Sequence, residues 1–241
     1  MKHIRLNLTL RKLYFIIVFA IAGCVSLQIP VTRLAGSQVT FTIYDAFAPI
    51  AGAFIGSISG VVAVFLMQLL NFFWHGAQIQ DAGTVIRFAT MMSAALYFAK
   101  KSRFNLFIPM IAIVAFVAHP IGRTVWYYAA FWIIPIGAYF LRDRFLLARA
   151  LGTTFTAHAV GGALWIWTFA LPAAVWNSLI PVVAGERLLF ALGICASFVA
   201  VNNLLCLAEK QQILRLDFPL NPHYLLPSFR AYYEAKRSPL F

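Results

Sequence analysis

Residues 45–74 read DAFAPIAGAFIGSISGVVAVFLMQLLNFFW, a run of thirty positions whose one charge, Asp45, stands at its start. As a single helix at about 1.5 Å per residue it would extend about 45 Å, well beyond the hydrocarbon of a bilayer. It is therefore either one strongly tilted helix or two short helices that turn back near Gly56. The cations decide between these, because cytoplasmic loops collect Lys and Arg. With Lys2, Arg5, Arg11 and Lys12 inside, a single helix would place Lys100, Lys101 and Arg103 outside, together with Arg142, Arg144 and Arg149. Two helices bring both clusters inside, with Lys210, Arg215, Arg230, Lys236 and Arg237. That arrangement puts 15 of the 19 cations on one face and leaves Arg33, Arg87, Arg123 and Arg187 on the other. The expectation is an all-α, polytopic transmembrane helical bundle of six to eight helical segments, with N- and C-termini cytoplasmic.

Composition agrees with lipid as the solvent. The 241 residues are 62% hydrophobic and 11% charged, with a mean hydropathy of +0.84, which excludes an ordinary soluble globule. The net charge of +12 by itself would suit a nucleic-acid binder. The apolar runs argue instead that the cations set membrane orientation, so no nucleic-acid partner is expected. Further spans are expected at about Leu13–Ile29, Thr84–Ala99, Phe104–Ala118, Thr124–Leu141, Leu151–Leu171 and Leu188–Ala208. Residues 1–209 form the transmembrane domain and 210–241 a cytoplasmic tail. In that tail Pro219, Pro222, Pro227 and Pro239 interrupt Phe218, Tyr224, Phe229, Tyr232 and Tyr233, so a long helix is not expected. It lies along the membrane surface or a partner, or frays near anionic lipid. The location is the cell inner (plasma) membrane, multi-pass.

Several motifs have structural readings. Ile21-Ala22-Gly23-Cys24 has the form of a lipoprotein signal, but a first membrane helix explains the same run. Ala48, Gly52, Gly56 and Gly60 recur every fourth residue and suit close internal helix packing. Gly56-Ser57-Ile58-Ser59-Gly60 has Ile58 where a nucleophile elbow needs serine. Cys24, Cys195 and Cys206 show no pairing or ligand spacing. None of His3, His75, His119, His158 and His223 forms a close ligand pair, so no metal and no cofactor are expected. His158, in the Leu151–Leu171 run, is read as a hydrogen-bonding partner for a neighbouring helix. The outer arginines need an offset. Asp45, Asp81 and Glu186 supply it either as simple ion pairs or as parts of a pocket where arginine forks hold a carboxylate or phosphate. Trp74, Trp126, Tyr127, Tyr128, Trp132, Trp165, Trp167 and Trp176 gather in the outer half as an interfacial belt, from which one or two stack on a planar ligand.

The segment Val39-Thr40-Phe41-Thr42-Ile43-Tyr44-Asp45, then Pro49, Gly52, Gly56 and Gly60, running on to Gln68-Leu69-Leu70-Asn71-Phe72 and His75-Gly76, resembles the substrate-binding S-components of energy-coupling factor vitamin transporters. The outer loop from Gln78 to Gly83, the helix opening at Arg87 and its exit into Lys100-Lys101 are similar to that family too. The likeness covers residues 13–103. It implies capture of a vitamin or precursor outside the cell, in partnership with a transmembrane coupling protein and cytoplasmic ATPases. It further implies docking of the coupling protein on the small-residue face of Ala20, Ala22 and Gly23. The chain itself contains no GxxxxGK[ST] motif.

The resulting expectation is a substrate-capture subunit for a small, anionic, partly planar nutrient, with no covalent chemistry and no catalytic residue. Arg87 and Arg123 orient the charged group, Asn71, His75 and His119 supply hydrogen bonds, and Trp126 forms an apolar wall. Two rivals stand beside it. One is an enzyme acting on a lipid or isoprenoid through His158 or the His119/Arg123 pair. The other is a structural membrane subunit whose arginines are salt-bridged.

Overall fold

The computed structural model describes residues 10–33, 40–79, 81–216 and 218–237, and for Leu10, Arg11, Lys12, Tyr14 and Phe15 the backbone alone. The expectations placed on Lys2, His3, Arg5, Val39 and Pro239 lie outside the described residues.

The first helix, α1 (Leu10–Leu27), leads into a small antiparallel hairpin of β1 (Pro30–Arg33) and β2 (Thr40–Thr42). Thr32 faces Phe41 and Arg33 faces Thr40 in its register. An all-α expectation had no place for this hairpin. Four of its seven residues, Val31, Thr32, Thr40 and Thr42, are β-branched and lie outside any long apolar run, which is where a short strand pair can form.

The decisive stretch is folded back on itself. Helix α2 (Tyr44–Phe47) passes through a 3-10 turn at Ala48–Ile50 into α3 (Ala51–Ile55), and α4 (Ser57–Trp74) follows. Gly56 joins them with φ +92° and ψ 164°, a conformation that L side chains rarely adopt. A Cβ on Gly60 would collide with the backbone of Gly52, so the two helices touch backbone to backbone. Gly52 is in turn closed off by α5 (Ala82–Ala99), where an added Cβ would come 2.6 Å from Ala99 Cβ. The recurring small residues are thus an internal packing seam.

Helices α6 (Phe104–Ala118), α7 (Pro120–Thr124), α8 (Ile133–Leu141), α9 (Leu146–Phe169) and α10 (Ala173–Lys210) complete the bundle. Three helices, α4, α5 and α10, are long and apolar enough to cross a membrane. Their outer faces are lipid-like: Phe65, Leu70 and Phe73 on α4 and Leu188, Leu189 and Leu192 on α10 are all exposed. Two expected spans need correction. Thr124–Leu141 is not one helix, because a 3-10 stretch at Trp126–Trp132 separates α7 from α8. The physical cause is the packing of Tyr128 and Trp132 against Phe116 of α6, with ring centroids 5.8 and 5.1 Å apart. A hydropathy run does not register that break. The last span is also far longer than Leu188–Ala208. At 38 residues α10 extends about 57 Å, so it reaches beyond the hydrocarbon.

The excess length of α10 anchors the tail. Asn202 and Asn203 exchange paired hydrogen bonds with the backbone of Asn221, Tyr224 and Leu226 at 2.8–3.0 Å. Lys236 on α11 (Pro227–Arg237) reaches Glu209 at 2.9 Å, and Tyr233 Oη accepts from the Leu220 N–H. The tail is therefore folded onto α10. At the same end, Arg149 donates at 2.6 Å to both the Phe98 and Ala99 carbonyls, satisfying the end of α5. The core divides accordingly into a tail-end cluster around Phe54, Phe98 and Phe198 and a hairpin-end cluster around Phe116, Tyr128, Trp132 and Trp176.

Candidate functional site

The principal cavity, about 220 Å³, opens at the hairpin end of the bundle. The hairpin supplies Arg33 and Phe41 to its rim, α5 supplies Arg87, α9 supplies His158 and Trp165, and α10 supplies Trp176 and Arg187. Three of the four cations that the sequence placed on the outer face thus converge on one space.

Each buried arginine is held differently. Arg87 Nη2 lies 2.7 Å from Asp45 Oδ2 and 3.1 Å from Thr42 Oγ1. Asp45 Oδ2 also accepts from the Thr42 N–H at 2.8 Å, which ties β2 to the start of α2. Asp45 is therefore fully committed on that oxygen. Arg187 is 4% exposed, yet its contacts are long: 3.5 Å to Glu186 Oε2 and 3.5 Å to Thr154 Oγ1. Its guanidinium lies over the rings of Phe41 and Phe190, at 4.7 and 4.9 Å. Among the described residues, the Nε of Arg187 and that of Arg87 have no hydrogen-bond partner. A buried cationic donor without an acceptor is costly, and both of these belong to residues that line the cavity.

A second group lies alongside. Trp132 Nε1 donates to His158 Nδ1 at 3.0 Å, and His158 Nε2 lies 3.1 Å from Tyr128 Oη. His158 does bond a neighbouring segment, as its buried position in an apolar run suggested. Its ring also faces the cavity. The remaining walls are apolar, with Ile86, Met91, Leu179 and Val183 among them.

Of the six expected binding residues, only Arg87 lines this cavity. Arg123 and Trp126 are exposed, on the outside of the 3-10 break. His119 accepts from the Ile121 N–H at 3.2 Å and packs edge-on against Trp167, which makes it the N-cap of α7. Asn71 accepts from Gln28 Nε2 at 2.7 Å, which ties the C-terminal turn of α4 to the residue after α1, and the exposed His75 contacts the Asn71 carbonyl of its own helix end. Of the expected docking face, Gly23 packs inward on Met67 Sδ, Ala20 is half-buried and Ala22 is exposed. Two residues absent from the expected set, Arg187 and Tyr128, are central. The signals for them were a cation in mid-helix and aromatics four apart at Tyr128 and Trp132, which share a face wherever the chain is helical.

The fold and site define a mostly helical protein with three helices long and apolar enough to span a membrane, carrying at one end a mostly apolar cavity lined in part by charged side chains. No family model, curated protein or solved structure matches the chain. Among the described residues, no cluster of three or more His, Cys, Asp or Glu is placed to hold a metal ion.

Proposed function

We propose that the chain is a multi-pass inner-membrane capture subunit that binds a small anionic, vitamin-like or precursor nutrient in the hairpin-end cavity, open to the outside. Uptake is energised by separate ATPase partners through a transmembrane coupling protein, and surrounding lipid serves as solvent. The observation that carries this reading is Arg187, buried beneath the cavity with an unpaired Nε and only long bonds to its neighbours. A structural ion pair would close those distances; a ligand anion would complete them. The cation distribution supports the orientation, since Lys100, Lys101, Arg144, Lys210 and Arg215 lie toward the tail end, opposite the hairpin. Coupling-protein docking on α1 falls to Ala22 and Ala20, with Gly23 supporting them from behind.

His158 favours capture over acid–base catalysis on a lipid. Both of its ring nitrogens are engaged, by Trp132 and Tyr128, so neither is left to accept a proton from substrate. The test is thermal stabilisation of the detergent-purified protein by a panel of vitamins and precursors, with Arg87→Ala and Arg187→Ala alongside. A ligand that binds the folded state raises the midpoint with its concentration. The expected result is a shift by an anionic compound that Arg187→Ala abolishes. No shift from any compound would overturn the capture function.

A further inference from the structure

The hydrogen-bond chain beside the cavity has only one consistent direction. An indole N–H can donate and cannot accept, so the His158 Nδ1 that receives it at 3.0 Å carries no proton. The ring proton is then on Nε2, and it donates to Tyr128 Oη at 3.1 Å. Tyr128 receives that bond and still has its own hydroxyl hydrogen to give. Tyr128 is 2% exposed, lines the cavity, and among the described residues has no acceptor for that hydrogen. A buried hydroxyl donor without an acceptor stands at the same cavity as the unpaired Arg187 Nε.

Resting on the capture function above, we propose that Tyr128 and Arg187 form a donor-only clamp for the head of an amphiphilic monocarboxylate, with Trp132 and His158 as positioning residues that fix the direction of the Tyr128 hydrogen. The charge arithmetic selects one negative charge. The cavity lining holds Arg33, Arg87 and Arg187 against Asp45 and Glu186, 3 − 2 = +1, with His158 neutral. A monocarboxylate brings the lining to neutrality, whereas a phosphate monoester dianion would leave an uncompensated charge among apolar walls. Those walls, Ile86, Met91, Trp165, Trp176 and Val183, accept a flat or aliphatic body behind the head.

The experiment uses the full chain in detergent with benzoate, phenylacetate, octanoate, phenyl phosphate and phenylacetamide as probes. Binding is read by thermal shift and titration calorimetry. The ring nitrogens of His158 are read by ¹⁵N NMR across pH 5–8, assigned by loss of the signal in His158→Gln. The expected results are binding of at least one carboxylate in preference to phenyl phosphate and phenylacetamide, and a tenfold or greater loss of affinity in Tyr128→Phe, measured on folded protein well below its own unliganded midpoint, which falls because His158 Nε2–H loses its acceptor. His158 should show the Nε2–H neutral tautomer throughout that pH range, and Trp132→Phe should shift the Nδ1 resonance toward a tautomer mixture. An Nδ1–H tautomer in the wild type, full affinity in Tyr128→Phe, or a preference for phenyl phosphate would overturn the clamp. If Tyr128→Phe binds normally while Arg187→Gln does not, the clamp fails and capture of an anion stands. If neither these probes nor the vitamin panel shifts the wild type, both fail together.

Discussion

Replacing Asp45 by asparagine should weaken the fold and strengthen anion binding, a combination that few structural accounts would produce. Asp45 Oδ2 and Arg87 Nη2 are 2.7 Å apart, with side chains 9% and 12% exposed. Removing one partner of a buried pair costs about 3–5 kcal/mol, because the remaining charge is left uncompensated. Asparagine keeps an oxygen for the Thr42 N–H and for Arg87, which places the loss near the lower bound, about 3 kcal/mol. In a domain of this length each kcal/mol moves the midpoint about 2–4 °C, so the unliganded protein should melt about 6–12 °C lower. Binding moves the opposite way. A carboxylate bound about 7 Å from Asp45 is repelled by about 2 kcal/mol at an effective dielectric of about 20, and the substitution removes that repulsion. Affinity should rise about 30-fold by that amount, since about 1.4 kcal/mol is a factor of ten. The assay is a melting curve with and without a ligand that stabilises the wild type, followed by titration calorimetry. An unchanged unliganded midpoint, or weaker binding of the anion, would refute the reasoning.

Gly60→Ala should destabilise by about 1–3 kcal/mol through overpacking against Gly52, read as a lower midpoint, while Gly137→Ala, which meets nothing, serves as control. Arg149→Met removes two 2.6 Å bonds to the Phe98 and Ala99 carbonyls. It should cost about 1.5–3 kcal/mol per the worth of charge-assisted bonds and speed amide exchange at the C-terminal turn of α5. The double substitution Asn202→Leu and Asn203→Leu removes the backbone-like pairing of the tail with α10. It should open residues 211–237 to limited proteolysis while leaving ligand-induced stabilisation at the hairpin end intact.

Much of the frame was legible in the sequence because it follows from length and charge. Thirty residues with a single charge at their start are too many for one crossing, and the cations on either side choose the reversal at Gly56, where the structure turns with φ +92°. Arg87 was legible for the same reason, as a cation at the wrong face. Which of the three candidate acids pairs with it was not, since Asp45 lies 42 residues away and the packing of α5 on the Ala48–Ile50 turn and α3 brings them together. Arg187 counted among the outer cations but not among the expected binding residues, and Glu186 beside it offered an offset in sequence. Successive residues on a helix diverge by about 100°, so adjacency does not make a good pair, and the observed 3.5 Å contact shows the consequence. Arg123 and Trp126 stand away from the cavity for a reason that hydropathy, which sees Thr124–Leu141 as one run, does not register. The aromatic packing that breaks it turns Tyr128 and Trp132 inward and leaves Arg123 and Trp126 outside. The strand pair at Pro30–Arg33 and Thr40–Thr42 carries too few residues to register as a pattern.

The central claim is that the hairpin-end cavity holds a small anion through Arg187. Native mass spectrometry of the protein, purified from its membrane and incubated with the vitamin and carboxylate panels, addresses it most directly. The account predicts a single added mass of one small anionic molecule on the wild type, retained in Gly137→Ala and lost in Arg187→Gln. Bare protein under every incubation, or an adduct that Arg187→Gln retains at full occupancy, would contradict it.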